Sequence, residues 1–258
     1  MDLASIIGCV LAFAGIFGGQ IMEGGNPASL LLPAPLVLVI CGTLGAAMSA
    51  GILKDATGLP KQLIRAMTAK TVASGALVDT VVGLAERARR EGLLALEDAA
   101  KGVSDPFLRR GLEMAIDGTD PEELGEIMQA EVSAKRKADK AAAKIFADMG
   151  GFAPTIGIIG TVMGLVHVLS NLSDPSKLGE MIASAFIATL WGVMLANVVF
   201  LPMGARLKRL SELECEQMEL TIEGVMAIQA GANPRLVAQK LKSLLPPGEA
   251  APEKAKAA

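Results

Sequence analysis

The sequence predicts an all-α fold: a polytopic membrane protein with four transmembrane helices and a helical cytoplasmic domain. Three observations carry that expectation. Hydrophobic residues make up 52% of the 258, and 28 Gly stand against 3% aromatics, a composition too apolar for an ordinary soluble domain and suited to close helix packing in lipid. Mean hydropathy is +0.47, and four stretches run without Asp, Glu, Lys or Arg: 3–22, 24–53, 149–173 and 181–205. Each is long enough to cross a bilayer, which takes about 20 apolar residues. Basic residues then gather on one side. Lys54, Lys61, Arg65 and Lys70 follow the second stretch, Lys135, Arg136, Lys137, Lys140 and Lys144 precede the third, and Arg206, Lys208 and Arg209 follow the fourth. The short connections 23–29 and 174–180 hold a single basic residue, Lys177. By the positive-inside rule, both termini and residues 54–148 are cytoplasmic.

In chain order, residues 1–53 read as a first hairpin with spans at about 3–22 and 30–53. The first span lacks a basic leader and is long, so it reads as a retained helix and not a secretory signal. Residues 54–148 form the cytoplasmic helical domain. There Leu77, Val81, Leu84, Ala85 and Ala88 recur at three and four residues, predicting an amphipathic helix between Ala76 and Ala100 that Gly92 interrupts. Asp105-Pro106 and Asp120-Pro121 put a capping acid before a proline, with Glu123 placed as in a capping box, so helices begin near Pro106 and Pro121. From Pro121 no proline and only the isolated Gly125 occurs before Gly150-Gly151, which predicts one long helix running toward the third span.

Residues 149–205 form the second hairpin, with spans at about 149–173 and 181–205. Residues 206–245 are C-terminal cytoplasmic helices: Met203 to Gln229 prolongs the fourth span, its Glu212, Glu214, Glu216, Glu219 and Glu223 read as solvated faces, and Asn233-Pro234 starts a last short helix. Residues 246–258 are a Pro/Ala/Lys/Glu tail with too little hydrophobicity to fold. Cys9 and Cys41 lie in spans, Cys215 lies beyond them, and no C-x-x-C spacing occurs, so no metal or disulfide role is expected.

The second hairpin carries the chemistry. Its spans hold no acid, yet they contain Pro154, Thr155, Thr161, Ser184, Thr189, Asn197 and Pro202. Each proline frees a backbone carbonyl, and both fall toward the cytoplasmic side, where together they read as a hinge and singly as ordinary helix bends. Thr161 lies seven residues after Pro154 and shares its face, with Gly157, Gly160 and Gly164 keeping the neighbouring surface small. A threonine in lipid can satisfy itself on the carbonyl four residues back; two facing a polar partner offer oxygen ligands or orient water. His167, the sole histidine, reads as an interfacial residue ahead of a proton relay. If ions cross here, the acid that accepts them comes from another chain. No phosphate loop, zinc cluster or nucleophile motif is present, so neither an enzyme, a cofactor nor a nucleic-acid partner is expected.

Three segments then fix a resemblance: Ala153-Pro154-Thr155-Ile156-Gly157-Ile158-Ile159-Gly160-Thr161-Val162-Met163-Gly164-Leu165, Ala185-Phe186-Ile187-Ala188-Thr189-Leu190-Trp191-Gly192, and Gly224-Val225-Met226-Ala227-Ile228-Gln229-Ala230-Gly231-Ala232-Asn233-Pro234. In this order they closely resemble the MotA/PomA family of flagellar motor stator subunits, in the bacterial inner membrane. The resemblance implies a homopentamer around a dimer of a MotB-like partner, whose span supplies the ion-accepting aspartate. It also implies that Thr189 lies on the ion path and that Pro154 and Pro202 couple ion passage to movement; Thr161, from its own spacing, is the second ion-path candidate. The stretch Arg89 to Glu97 looks like the family's rotor-facing segment, with Arg89, Arg90 and Glu97 meeting the rotor protein FliG. Otherwise these charges would read as a solvated helix surface.

Thr161 with Thr189 fits sodium-type members, but Ala188 offers no second hydroxyl beside Thr189, so a proton is the expected ion and sodium, held by the same threonines, the alternative. Two other readings remain: an ExbB/TolQ-like subunit energising outer-membrane transport, and a membrane scaffold without an ion pathway.

Overall fold

The computed structural model describes residues 3–69, 74–173 and 175–245; the tail expected to be disordered lies outside these. Every regular element among the described residues is helical. The chain divides into two compact units, Met1–Lys70 with Ala138–Leu210 and Thr71–Lys137 with Ser211–Ala258.

The first unit begins with α1 (Leu3–Met22), a 3₁₀ turn (Pro27–Leu30), α2 (Pro33–Ala50) and α3 (Leu53–Thr68). It continues through the C-terminal part of α7 (Pro121–Leu169), α8 (Pro175–Met194), a π-helical segment (Leu195–Phe200) and the start of α9 (Leu201–Gln229). Asn26 Oδ1 accepts from Ala28 N at 3.0 Å and starts the 3₁₀ turn, and Pro33 opens α2 where a missing N–H costs nothing. Pro35, Val39, Thr43 and Ala47 are buried, a stripe at every fourth residue, while Val37, Ile40 and Met48 stay exposed. That is the pattern of a helix packed on one side and facing lipid on the other. Val39 joins Ile187, Trp191 and Met194 in one apolar cluster, and Trp191 Nε1 donates to the Leu30 carbonyl at 2.7 Å. A second cluster holds Ala47, Ala66, Phe146, Met149, Met203 and Leu207. Here α3, which carries no sequence signal singled out above, is pinned to α7 by a bidentate Arg65–Asp139 pair at 2.5 and 3.2 Å. Arg206 Nε donates to the Ala66 carbonyl of the same helix.

Among the described residues, three helical stretches, Pro33–Ala50 and parts of Pro121–Leu169 and Pro175–Gln229, are long and apolar enough to cross a membrane. Four spans are expected from the sequence; the apolar run Ile6–Met22 of α1 is shorter than these three, about 25 Å at 1.5 Å per residue against a hydrocarbon core of about 30 Å. The second expected span also ends earlier, at Ala50, where Gly51 turns extended. The third runs uninterrupted from Pro121 through Gly150, Gly151 and Pro154.

The second unit contains α4 (Ser74–Glu91), a 3₁₀ turn (Leu93–Leu96), α5 (Glu97–Lys101), α6 (Pro106–Ile116), the N-terminal part of α7, most of α9, and α10 (Pro234–Ser243). Its start signals act as the sequence predicts. Asp105 Oδ1 accepts from Phe107 N and Leu108 N at 2.8 and 3.2 Å, Asp120 Oδ1 from Glu122 N at 2.9 Å, and Asn233 Oδ1 from Arg235 N at 3.1 Å. Gly92 breaks the first helix at φ +87°, a left-handed conformation that costs glycine nothing. Val81, Leu84, Leu112, Leu124, Val132 and Val225 fill the core between these helices. The acids of α9 are more than solvated: Glu214 pairs with Lys135 at 2.5 Å, Glu219 with Arg136 at 2.7 Å, and Glu223 with Lys240.

Candidate functional site

Helices α7 and α8 meet backbone to backbone, because small residues line both sides. A methyl group on Gly157 would lie 2.9 Å from the Ala188 carbonyl oxygen and 3.0 Å from Thr189 Cα. One on Gly164 would lie 2.5 Å from Ala185 Cβ, and one on Gly192 2.5 Å from the Ala153 carbonyl oxygen. Real Cβ atoms do not approach that closely, so only glycine fits. Close approach of this kind is how helices associate in lipid, where apolar area gives no drive.

The contact brings Thr161 and Thr189 together. Their hydroxyls hydrogen-bond each other. Thr161 Oγ1 also lies 3.1 Å from the Ala185 carbonyl and 3.3 Å from that of Gly157, and Thr189 Oγ1 lies 3.1 Å from the Gly157 carbonyl. Two protons serve this cluster of two hydroxyl and two carbonyl oxygens. One hydroxyl gives its proton to the other, and the receiver gives its own to a carbonyl. The chain of donation can therefore run from Thr161 to Thr189 or back without moving a heavy atom. Such a neutral oxygen cluster can strip part of the hydration from a monovalent cation, or donate to a carboxylate from elsewhere. Among the described residues, no group of three or more His, Cys, Asp or Glu could hold a metal ion.

Pro154 lies inside α7 and leaves the Gly150 carbonyl without its donor. Gly150 in turn faces Leu201: a Cβ there would meet Leu201 Cδ2 at 2.5 Å. The backbone loosened by one proline thus touches the neighbour of the other, Pro202. Just before Pro202, residues Leu195–Phe200 are π-helical, and Leu201 N donates to Ala196 O, five residues back. Sequence reasoning missed this segment. A wider turn ahead of a residue with no N–H redistributes the carbonyls that Pro202 cannot serve. Asn197, exposed, returns its amide to the Val193 carbonyl at 2.9 Å. The sequence reading also passed over Gly192, whose signal was its fourth-residue spacing from Ala188 on the face that α7 covers.

His167 is exposed near the end of α7, and Asn171 Nδ2 donates to its carbonyl at 2.8 Å. That matches a residue at a helix end.

Arg89, Arg90 and Glu97 stand in the second unit on either side of the Gly92 turn. All three are exposed. Arg89 and Arg90 form no ion pair among the described residues, whereas neighbouring Arg87 is held by Glu91 at 3.1 Å. Glu97 reaches Lys101 at 3.6 Å. Asp98, hydrogen-bonded to the same ammonium, and then Glu97 hold the Lys101 amine above its ordinary range.

Two family models match: the MotA/TolQ/ExbB proton channel family over residues 99–220 and the Motility protein A N-terminal model over residues 6–92. Motility protein A of Bacillus subtilis is 38% identical over 248 residues, covering 95% of this chain and 92% of that protein. Among solved structures, the Campylobacter jejuni MotAB structure ("C. jejuni MotAB") superposes with TM-score 0.91 at 31% identity, covering 96% of this chain and 97% of its counterpart. The flagellar MotAB stator complex of Bacillus subtilis gives 0.88 at 36% identity, covering 95% and 97%. With identity above 30% over nearly the whole length and a superposition at TM-score 0.91, the chain belongs to the MotA/TolQ/ExbB proton channel family, in its Motility protein A branch.

Proposed function

We propose that the chain is the A subunit of a flagellar stator, which turns ion flow across the inner membrane into torque on the rotor. The observation that carries this is the Thr161–Thr189 cluster: paired neutral oxygens between two membrane helices whose apolar spans contain no acid. An ionised group in mid-membrane costs about 2.5–3.5 kcal/mol even on lenient scales, so the working carboxylate is housed once, on a partner. A MotB-like subunit provides it, as the related MotAB structures support. The A chains form a homopentamer around two copies of that partner.

In this reading α1 is a fourth span, tilted or set in a thinned bilayer, and both termini are cytoplasmic. Residues 54–148 face the rotor. A proton reaching the partner's aspartate removes a buried charge and so changes which position of the A ring is favoured. Thr161 and Thr189 hand the ion across, and sodium would use the same oxygens. The Gly150–Leu201 contact between the two prolines lets that shift pass toward the cytoplasm. Arg89, Arg90 and Glu97 meet oppositely charged groups on FliG, the rotor protein. The match to a Motility protein A N-terminal model favours this over an ExbB/TolQ-like role.

The test is to co-express the chain with its partner and measure rotation while varying sodium and adding a protonophore. Proton drive predicts that the protonophore stops rotation and that sodium has no effect. Thr189→Val, which removes one hydroxyl of the pair, should slow rotation at least tenfold with normal membrane insertion. Undiminished rotation in that variant would support a scaffold whose threonines only shape packing.

A further inference from the structure

Outside the hydroxyl pair, the same two helices enclose a polar cavity of about 520 Å³ lined by Gly164, His167, Asn171, Lys177, Glu180 and Ser184, with Met181. Its floor adjoins the Thr161–Thr189 cluster: Gly164 follows Thr161 by three residues, about 4.5 Å along the helix, and packs on Ala185. The Ala185 carbonyl itself accepts from Thr161, and Ser184 precedes it. Polar side chains and the apolar Met181 share its walls. Asn171 Nδ2 lies 3.5 Å from His167 Nδ1 as well as bonding the His167 carbonyl, and Ser184 adds a hydroxyl toward the floor.

Two charges of opposite sign line this cavity, both on the first turns of α8. Glu180 is its one carboxylate and forms no ion pair among the described residues. Lys177, three residues earlier, is its one ammonium and already has an interaction of its own. A carboxylate at the mouth of a recess with low-dielectric walls raises the local concentration of cations, and an ammonium beside it lowers that concentration.

We propose that this cavity is the outer loading site for the driving monovalent cation. Glu180 draws the hydrated ion in, Lys177 keeps it from being held too tightly, and Ser184 passes it to the Thr161–Thr189 oxygens. The proposal rests on the stator reading above and adds to it the place where the ion first binds.

The experiment uses the co-expressed complex in cells, with rotation speed recorded against sodium at fixed pH and against pH in sodium-free potassium buffer. The arm in which wild-type speed responds identifies the ion. In that arm Glu180→Gln should raise the half-saturating ion concentration about threefold, the effect of one unit charge some 7 Å away in a water-like medium. Lys177→Gln should lower it by about as much. Maximal speed stays at the wild-type level in both, Glu180→Asp restores the wild-type curve, and both shifts shrink when inert salt is added. A merely structural role for the pair would not give shifts of opposite sign. Unshifted curves, shifts in one direction, or a fall in maximal speed would each overturn the proposal. A wild-type complex driven by neither ion would overturn the stator reading itself, and this site with it.

Discussion

The α7–α8 contact and the turn around Gly92 are both proposed to act in the motor, yet they are built in opposite ways. At the first, backbones touch, hydroxyls are paired with each other and with carbonyls, and no charge lies among them. At the second, Arg89, Arg90 and Glu97 are exposed and at most loosely paired. The difference follows from the solvent each region meets. In lipid a polar group must find its partner within the protein, so a site there is satisfied, close-packed and intolerant of change. In water a charge costs little to leave free, so it remains available to a moving partner. Substitutions should therefore hurt the two regions by different routes: the first through packing and hydrogen bonding, the second through contacts made outside the chain.

The largest expected effect is at Gly192. Valine there drives two methyls into α7, where even a Cβ would sit 2.5 Å from the Ala153 carbonyl oxygen and 3.1 Å from Gly157 Cα. Backbone has to move, at a cost of about 3 kcal/mol or more. Thermal unfolding of the detergent-solubilised complex should drop by many degrees and swimming should cease. Normal stability would show that the helices are not held by this contact.

Pro154→Ala comes next and separates packing from movement. Alanine restores an N–H for the Gly150 carbonyl and removes a residue that costs a helix interior about 3 kcal/mol. Stability should hold or rise while rotation falls at least tenfold, read by tethered-cell speed alongside the unfolding midpoint. Unchanged rotation with normal expression would reduce Pro154 to a bend in α7. This position also marks where the sequence stopped being legible. The helix starts at Pro106, Pro121 and Pro234 and the break at Gly92 are written in adjacent residues, because caps and left-handed glycines act locally. Thr161 and Thr189 were readable because a hydroxyl in a charge-free span stands out. The run of α7 through Gly150 and Gly151 was not, since each glycine argues against helix by about 1 kcal/mol. What offsets it is the fit of Gly150 against Leu201, a residue 51 positions away in the sequence. The π segment is equally silent: no residue type encodes it, and it arises where Pro202 meets a stretch that α1 packs against. Lys177 enters the sequence reading only as the basic residue of a short connection and Glu180 carries no signal of its own; the fold sets both around one recess.

The smallest effect should come from the exposed charges. Arg89→Glu breaks no ion pair among the described residues, so the unfolding midpoint should stay where it is. If Arg89 meets an acid on the rotor, one exposed pair contributes about 0–1 kcal/mol, and reversing its sign replaces attraction with repulsion of similar size. Torque under load should then fall by a factor of a few and recover partly in higher salt, because such contacts are screened. Glu97→Lys should do less alone, since Glu97 already shares its charge with Lys101. The informative pair is Arg89→Glu with Arg90→Glu: neighbouring charges that serve one contact should together cost clearly more than either, while two solvated arginines should cost nothing. Full torque in the double variant would remove these residues from the rotor interface, and a lowered unfolding midpoint would instead place them in the packing of the second unit.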